Sequence, residues 1–349
     1  MHVAVDGRAL RLGTARARGV ARYLRCLLDE LARAFPDDRY TLVDPGRARL
    51  AAAALAGRPR LDRLAGGCDV VWLPAPAPAA VSRGMPYVLT VHDLSFEHRP
   101  RDYPLYARLW HRLARPARLA RGARLVLCDS DATRRAATGE WGLAEERTRT
   151  VLPGPGRPRS PARGAGATEP GLPAALPERF FLAVGALEPR KLPGVLIEAH
   201  GRARADGLRA GLVFAGDGPL RDELARAGAT VTGHVTDDVL DALYDRALAL
   251  ACVSREEGFG FTPLEALAHG TPAVVADLPV FDETLGEAAL RVPPGDPDAL
   301  AAALLRLERE PDLRDRLAAA ATHAAARLSW ERAARETRAV LAAAAAEGR

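Results

Sequence analysis

Two glutamates, Glu257 and Glu265, flank a glycine-rich turn in the C-terminal half of this 349-residue chain, and their setting suggests chemistry on sugars. An apolar run, Leu248-Val253, leads into Ser254-Arg255-Glu256-Glu257-Gly258-Phe259-Gly260-Phe261. Thr262-Pro263-Leu264-Glu265 then opens a short helix that Gly270 and Pro272 close. Thr262 and Glu265 have the spacing of a capping box, and Pro263 suits a first helical position. Glycines let the backbone approach a ligand, and a helix N-terminus behind them offers free amides and partial positive charge to a diphosphate. Carboxylates beside an anion site make sense if the ligand also carries hydroxyls. An ionised carboxylate only accepts, so it matches a vicinal diol, which donates. One glutamate can hold a ribose diol and the other a transferred sugar. The plainer alternative makes Glu265 a helix cap and Glu257 a solvated loop charge. The Gly-Phe-Gly loop together with the second glutamate favours the site.

A second group suits the same ligand. Gly185-Ala186-Leu187-Glu188-Pro189-Arg190-Lys191 follows an apolar run, Phe180-Val184. Arg190 as a fork and Lys191 as a point charge can grip a diphosphate, and fixed cations there stabilise a leaving group that gains negative charge. Lys191 is the only lysine, against 49 Lys and Arg together; Ile197 is the only isoleucine, and asparagine and glutamine are absent. Such a bias replaces lysine with arginine by default, so the surviving Lys191 points to a function. By the same bias the net charge of +5, spread along the chain, is no sign of nucleic acid.

Other candidates are weaker one by one. His92-Asp93-Leu94 follows the apolar run Tyr87-Val91, where a cleft residue belongs. Gly19 opens a helix after a Gly- and Arg-rich loop. Asp217 lies in Gly216-Asp217-Gly218, and Gly233-His234-Val235 ends another short run. Asp129-Ser130-Asp131 spells a metal-binding pattern, but it stands between a strand and a helix, where capping explains it. With Arg190, Lys191 and a helix dipole at hand, no metal is expected. Over Arg101-Arg124, Arg108, Arg112 and Arg115 recur at helical spacing opposite Leu109, Leu113 and Ala117. A solvated helix face is the preferred reading, with docking on anionic lipid left open.

The elements that must position these residues alternate strand and helix throughout. The N-terminal half offers His2-Val5, Tyr40-Asp44, Asp69-Leu73, Tyr87-Val91 and Arg124-Cys128 as strands. The C-terminal half offers Phe180-Val184, Leu212-Ala215, Thr230-Thr232, Leu248-Val253, Ala273-Ala276 and Leu290-Val292. Val20-Ala34 and Leu192-Ala205 are among the helices. This alternation implies an α/β protein of two Rossmann-like, doubly wound parallel-sheet domains, with ligands at the carboxyl ends of the strands. Pro153-Pro177, dense in Pro, Gly and Ala, reads as a linker. Cys26, Cys68, Cys128 and Cys252 form no metal-spaced pair and suggest buried, reduced thiols. With neither a signal-like start nor 18 consecutive apolar residues, the expected location is cytoplasmic, with peripheral contact at the inner membrane face left open.

Glu257 to Pro272 resembles the Glu-x7-Glu signature of retaining glycosyltransferase family 4, whose fold is GT-B. Gly185 to Lys191 is similar to that family's Gly-x-x-Glu-Pro-Arg-Lys turn, with Leu192 where asparagine is usual. The resemblance implies that Glu265 holds the donor ribose and that Glu257 lies near the transferred sugar. It gives the amides of Gly258, Phe259, Gly260, Phe261 and Thr262 to sugar and diphosphate, and the backbone of Gly233, His234 and Val235 to the donor base. Gly19 resembles the glycine loop facing the diphosphate, although Ala21 replaces a second glycine. His92-Asp93-Leu94 resembles a subset that includes mannosyltransferases and implies His92 beside the donor sugar. Ser329-Trp330-Glu331 resembles the family's terminal element, whose helix crosses back to the first domain. The implied domains are 1–155, a linker 156–177, 178–328, and a C-terminal helix 329–349, with an interdomain cleft. The implied activity is metal-independent transfer from a nucleotide-diphosphate sugar, GDP-mannose favoured, to an unidentified glycan, lipid-linked or small-molecule acceptor, without a dedicated base. A sugar-nucleotide epimerase of the same fold and an inactive nucleotide-sugar-binding protein are the alternatives.

Overall fold

The computed structural model describes residues 1–11, 18–44, 60–156, 171–173 and 176–346. Most of the Arg11-Gly19 loop and most of the Pro153-Pro177 stretch lie outside the described residues. The chain divides into two compact units, Met1–Gly154 with Leu328–Arg349, and Pro155–Arg327.

The first unit is built on β1 (His2–Asp6), β2 (Arg39–Val43), β3 (Val70–Leu73), β4 (Tyr87–Val91), β5 (Leu125–Cys128) and β6 (Thr148–Thr150), in the spatial order β2-β1-β3-β4-β5-β6. Every pairing is parallel. The second unit repeats the plan with β7 (Phe180–Val184), β8 (Gly211–Ala215), β9 (Thr230–Gly233), β10 (Ala249–Cys252), β11 (Ala273–Ala276) and β12 (Ala289–Val292), ordered β12-β11-β10-β7-β8-β9 and again all parallel.

Parallel strands covered on both faces must be apolar throughout, and the central ones here are: all four residues of β3, β10 and β11 are buried. Trp72 and Trp141 are buried in the first unit and Phe180, Phe181 and Phe214 in the second. Each such side chain contributes about 1.5–3 kcal/mol by leaving water. Thr148–Thr150 was not anticipated as a strand. It is a three-residue, polar edge strand, too short to show a hydrophobic pattern.

In each sheet the winding reverses once. From β7 the chain proceeds to β8 and β9 on one side, and from β10 to β11 and β12 on the other, so the reversal falls between the paired strands β7 and β10. In the first sheet it falls between β1 and β3. Such a switch point splays the loops at the carboxyl ends apart and opens a crevice.

The last helix, Trp330–Ala346, belongs to the first unit, where it packs on the helix Arg18–Ala34. Its buried face, with Ala333, Ala334, Thr337, Val340, Leu341 and Ala344, has the three- and four-residue spacing of one helix side, and its small residues allow close approach. Trp330 packs against Tyr23 at 6.1 Å between ring centroids, and Arg338 ion-pairs with Asp38 at 2.7 Å.

The Arg101-Arg124 stretch is not one helix with arginines opposite leucines. It forms a 3-10 turn and two helices, Leu105–Ala114 and Pro116–Gly122, broken at Arg115, which is left-handed (φ 49°) and precedes Pro116. Leu105, Tyr106 and Leu109 are 77%, 54% and 58% exposed, so apolar and basic side chains share the solvent side.

Candidate functional site

In the second unit the predicted residues gather on the carboxyl ends of the four strands around the switch point. The Gly185-Lys191 turn follows β7, and the Ser254-Gly260 turn follows its neighbour β10. The Arg255 amide donates to the Arg190 carbonyl at 3.0 Å, tying the two turns together. Lys191 Nζ forms a short ion pair with Glu257 Oε1. The only lysine and the first glutamate, 66 residues apart, are therefore partners. Arg190 leans on Glu188, Nε to Oε2 at 3.2 Å. Turns after β8 and β9 continue the rim: the Leu187 amide donates to the Asp217 carbonyl at 3.0 Å, and Gly216 bridges Gly233. Gly233 is buried and His234 exposed, with Val235 between these extremes. The Asp217 carboxylate accepts from the Gly218 amide at 2.8 Å, the role of a turn residue.

Electrostatics keep Glu257 ionised. Burial pushes its carboxyl up, but the charges of Lys191 and Arg190 and hydrogen bonds from Lys191 and Ser254 outweigh that and hold it below the usual glutamate range. Cys252, the last residue of β10, places its thiol 3.8 Å from Glu257 Oε1; burial and that negative charge push the thiol up to about 12. Leu192, where the family usually has asparagine, is left-handed (φ 52°) and caps the helix Pro193–Ala205. Asparagine tolerates that conformation better than leucine, so the departure has a local cost, while Leu192 is buried in the core.

The helix after the glycine turn does not begin with a capping box. It runs Phe261–Ala268, its N-cap is Gly260 at φ 85°, and no side chain caps it. A left-handed N-cap suits glycine, and a Cβ on Gly260 would lie 2.5 Å from the Phe281 ring. Pro263 is therefore the third helical residue rather than the first. Gly258, Phe259 and Gly260 are buried, and Phe261 and Thr262, partly exposed, form the first turn. Glu265 is turned inward and 4% exposed; its Oε2 accepts from the Tyr244 hydroxyl at 3.1 Å.

The first unit carries its own cluster, again at carboxyl ends. His92 follows β4. Its Nε2 lies 2.8 Å from the carbonyl of Pro74, after β3, and its Nδ1 lies 2.5 Å from Asp129 Oδ2, after β5. A carbonyl only accepts, so Nε2 carries a proton; Nδ1 faces a carboxylate and is protonated too when Asp129 is ionised. Burial would lower the His92 pKa, but the charge and hydrogen bond of Asp129, helped by Pro74 and Asp93, raise it above the ordinary value. In its doubly protonated form this imidazole offers a positive charge and no lone pair for a general base. Tyr23, on the helix Arg18–Ala34, meets His92 in a T-shaped contact at 4.9 Å between ring centroids. Gly19 itself is exposed. Asp93 Oδ1 accepts from the Ser95 amide at 3.0 Å and orders its loop.

Asp129 is the partner of His92 that sequence reading missed. Within Asp129-Ser130-Asp131 only part serves capping: Ser130 Oγ accepts from the Thr133 amide at 3.0 Å, and Asp131 pairs with Arg134 and Arg135. Asp129 is 2% exposed and turned to His92. Its place at the end of β5, beside the strand that ends at His92, was the available signal. Among the described residues no three His, Cys, Asp or Glu side chains are grouped to hold a metal ion.

Two doubly wound parallel units, with the terminal helix returned to the first and an anion-ready rim on the second, define a glycosyltransferase fold of the GT-B class. Residues 27–154 match the profile described as Glycosyltransferase Family 4, and residues 178–310 match Glycosyl transferases group 1. The chain belongs to glycosyltransferase family 4. It is 34% identical over 147 residues to the O-antigen chain mannosyltransferase RfbU of Salmonella typhimurium (39% of this chain, 40% of the relative). It is 36% identical over 152 residues to a phosphatidyl-myo-inositol mannosyltransferase of Mycobacterium leprae (41% and 40%). Over 216 residues it is 32% identical to a D-inositol 3-phosphate glycosyltransferase of Thermomonospora curvata (55% and 50%). These matches thus span half or less of the relatives' own length. The fold matches sucrose-phosphate synthase of Thermosynechococcus elongatus (TM-score 0.69, 20% identity, 97% of each chain) and HepE of Anabaena in complex with UDP and glucose (TM-score 0.67, 18% identity, 98% and 99%).

Proposed function

We propose that the chain is a retaining, metal-independent glycosyltransferase that takes a sugar from a nucleoside-diphosphate donor, with mannose from GDP-mannose the favoured case. The observation that carries this reading is the joining of the Arg190-Lys191 turn to the Glu257-Thr262 turn at a strand switch point, with Lys191 on Glu257. Arg190, Lys191 and the amides at the start of the helix Phe261–Ala268 bind the diphosphate and stabilise it as it departs. Glu265 accepts from the ribose hydroxyls, and the rim at Gly233, His234 and Val235 meets the base. Glu257, an ionised acceptor, holds the transferred sugar as it gains oxocarbenium character; His92, its two N–H groups committed to Pro74 and Asp129, is a neighbour of that sugar and not a hydrogen-bond donor to it. With both His92 nitrogens engaged, the departing phosphate takes the acceptor's proton, so no protein base is assigned. Mannose is supported by the mannosyltransferase names of two relatives and by His92-Asp93-Leu94; the bound UDP of HepE supports a nucleotide ligand in this fold.

The test is a thermal-shift screen with GDP-, UDP-, ADP- and dTDP-sugars, followed by transfer assays with and without a chelator. One donor stabilises the wild-type chain, about 2.7 kcal/mol at a hundred times its Kd. Glu257→Ala abolishes transfer while the melting profile stays cooperative. Stabilisation by none of the donors, or full transfer by Glu257→Ala, refutes the reading; loss of transfer on chelation refutes its metal-independent part. Donor breakdown without any acceptor would favour the epimerase.

A further inference from the structure

Resting on the assignment of Glu265 to the donor ribose, we propose that Tyr244, held in place by His269, is a positioning residue that fixes the Glu265 carboxylate and makes the site selective for ribose over deoxyribose.

The case begins with a torsion. The last torsion of a glutamate side chain is broad, so rotamer preference does not set the plane of its carboxylate. A carboxylate that must accept two hydroxyls at once needs that plane fixed. Glu265 is 4% exposed, and the Tyr244 hydroxyl donates to its Oε2 at 3.1 Å. Gly156 closes the other side, because a Cβ there would lie 2.8 Å from Glu265 Oε1. A carboxylate oxygen has two lone pairs, so an Oε2 that accepts from Tyr244 still has one to offer a hydroxyl.

Tyr244 can do this only if its own ring is immobile, and His269 supplies that. Asp241, Tyr244 and Asp245 project from one face of the helix Asp237–Arg246, being three and four residues apart. His269 inserts against that face. Its ring stacks on Tyr244 with centroids 5.2 Å apart and planes at 29°; Nδ1 lies 2.8 Å from Asp245 Oδ1, and Nε2 lies 3.1 Å from Asp241 Oδ1. His269 stands one helical turn after Glu265, and its amide donates to the Glu265 carbonyl at 3.3 Å. Thr271 Oγ1 anchors the Tyr244 carbonyl at 2.6 Å. The helix that bears the glutamate and the helix that bears the tyrosine are thus registered on each other through one imidazole, next to the hydrogen bond that orients the carboxylate. Pre-organised acceptors of this kind lose affinity when the supporting contact is removed, even though the ligand-touching group remains.

The experiment is calorimetric titration of wild type, Tyr244→Phe, Glu265→Gln and the double variant. The probes are GDP, UDP and ADP, each beside its 2′,3′-dideoxy analogue. Tyr244→Phe preserves ring and stacking and is checked for a cooperative melt. The wild type is expected to bind at least one ribonucleotide more tightly than its analogue. Tyr244→Phe weakens that ribonucleotide about tenfold and its dideoxy analogue less than about twofold. In the Glu265→Gln background the same change costs less than about twofold. Equal losses for both sugars, or no loss for either, overturn the positioning role and leave the ribose assignment standing. A wild type that binds none of the three ribonucleotides, or that ignores the ribose hydroxyls, overturns the ribose assignment and this inference together.

Discussion

Asp129→Asn isolates the charge on His92, because the amide is isosteric with the carboxylate and both forms of the variant pair are geometrically available. In the wild type Nε2 donates to Pro74 and Nδ1 to Asp129 Oδ2, with His92 positively charged. In the variant a neutral His92 keeps its Nε2 proton on Pro74 and accepts at Nδ1 from the new amide group. The amide oxygen then occupies the place of Asp129 Oδ1, which has no hydrogen-bond partner among the described residues. The change exchanges a charged hydrogen bond for a neutral one and brings a second amide N–H that must find an acceptor at a buried position. Typical values of about 1.5–3 and 0.5–1.5 kcal/mol make the variant about 1–2 kcal/mol less stable where the wild-type pair is fully protonated.

The sign then depends on pH. The His92 pKa is raised by folding, so its contribution is complete below about pH 6.5, its unfolded value, and fades as pH rises through the folded value. The wild type loses stability across that window with a slope of at most about 1.4 kcal/mol per pH unit relative to Asp129→Asn. Above the folded pKa the wild-type carboxylate faces the Nδ1 lone pair, and the advantage that the charged pair gives the wild type is lost. Denaturant unfolding of both proteins from pH 6 to pH 10 measures the difference, since all other titrating groups are shared. Nitrogen NMR of labelled imidazole gives the protonation of His92 directly. A difference that does not change with pH, or a singly protonated His92 at pH 6 in the wild type, refutes the assignment of a charged donor.

Three further outcomes follow from the same geometry. Lys191→Ala strands a mostly buried carboxylate: the cost is about 1–3 kcal/mol at pH 7, discounted for partial exposure, and the loss shrinks as pH falls below the usual glutamate value, because Glu257, whose pKa the folded protein lowers, then takes up a proton; unfolding at pH 7 and pH 4 measures it. Gly156→Ala, at φ 90° and facing the Glu265 side chain, destabilises by about 2–4 kcal/mol and impairs nucleotide binding, read by melting and titration. Exposed Leu105, Tyr106 and Leu109 beside Arg108 and Arg112 favour contact with anionic lipid: vesicles containing phosphatidylglycerol should retain the wild-type chain and release Leu105→Ser/Leu109→Ser, and equal behaviour of the two proteins excludes that face.

The parts of this molecule that were legible in its sequence are those written in contiguous residues. β4 and β11 coincide with their apolar runs, and the cation and glycine turns follow β7 and β10, because a buried parallel strand must be apolar and its loop must not be. The pairings that give these residues their character were not legible. Lys191 meets Glu257 across 66 residues and His92 meets Asp129 across 37, through a strand order that sequence periodicity does not encode. The capping box failed for a related reason: Thr262 and Glu265 have the right spacing, but a buried tyrosine from another helix offers Glu265 a hydrogen bond within the core, and the left-handed Gly260 starts the helix two residues earlier. Local rules rank local alternatives, and tertiary partners decide among them.

Those long-range pairings also bear on how the site can work. Three cationic candidates are already held by opposite charges: Lys191 by Glu257, His92 by Asp129 when protonated, Arg190 by Glu188. A ligand with a diphosphate and hydroxyls does not have to create order from flexible side chains, which would cost about 0.5–1.5 kcal/mol for each one immobilised. It completes an arrangement in which cations have acceptor capacity beside them and carboxylates have donors to spare around them. Phosphate oxygens can share Lys191 with Glu257 because an ammonium has three donors, and hydroxyls can share Glu257 with Lys191 because a carboxylate has two accepting oxygens. The same pairing that stabilises the rim therefore pre-sets the geometry of the proposed complex. On the proposed function, the compact ammonium of Lys191 fits between the Glu257 carboxylate and a phosphate, where the planar fork of an arginine would engage one and crowd the other.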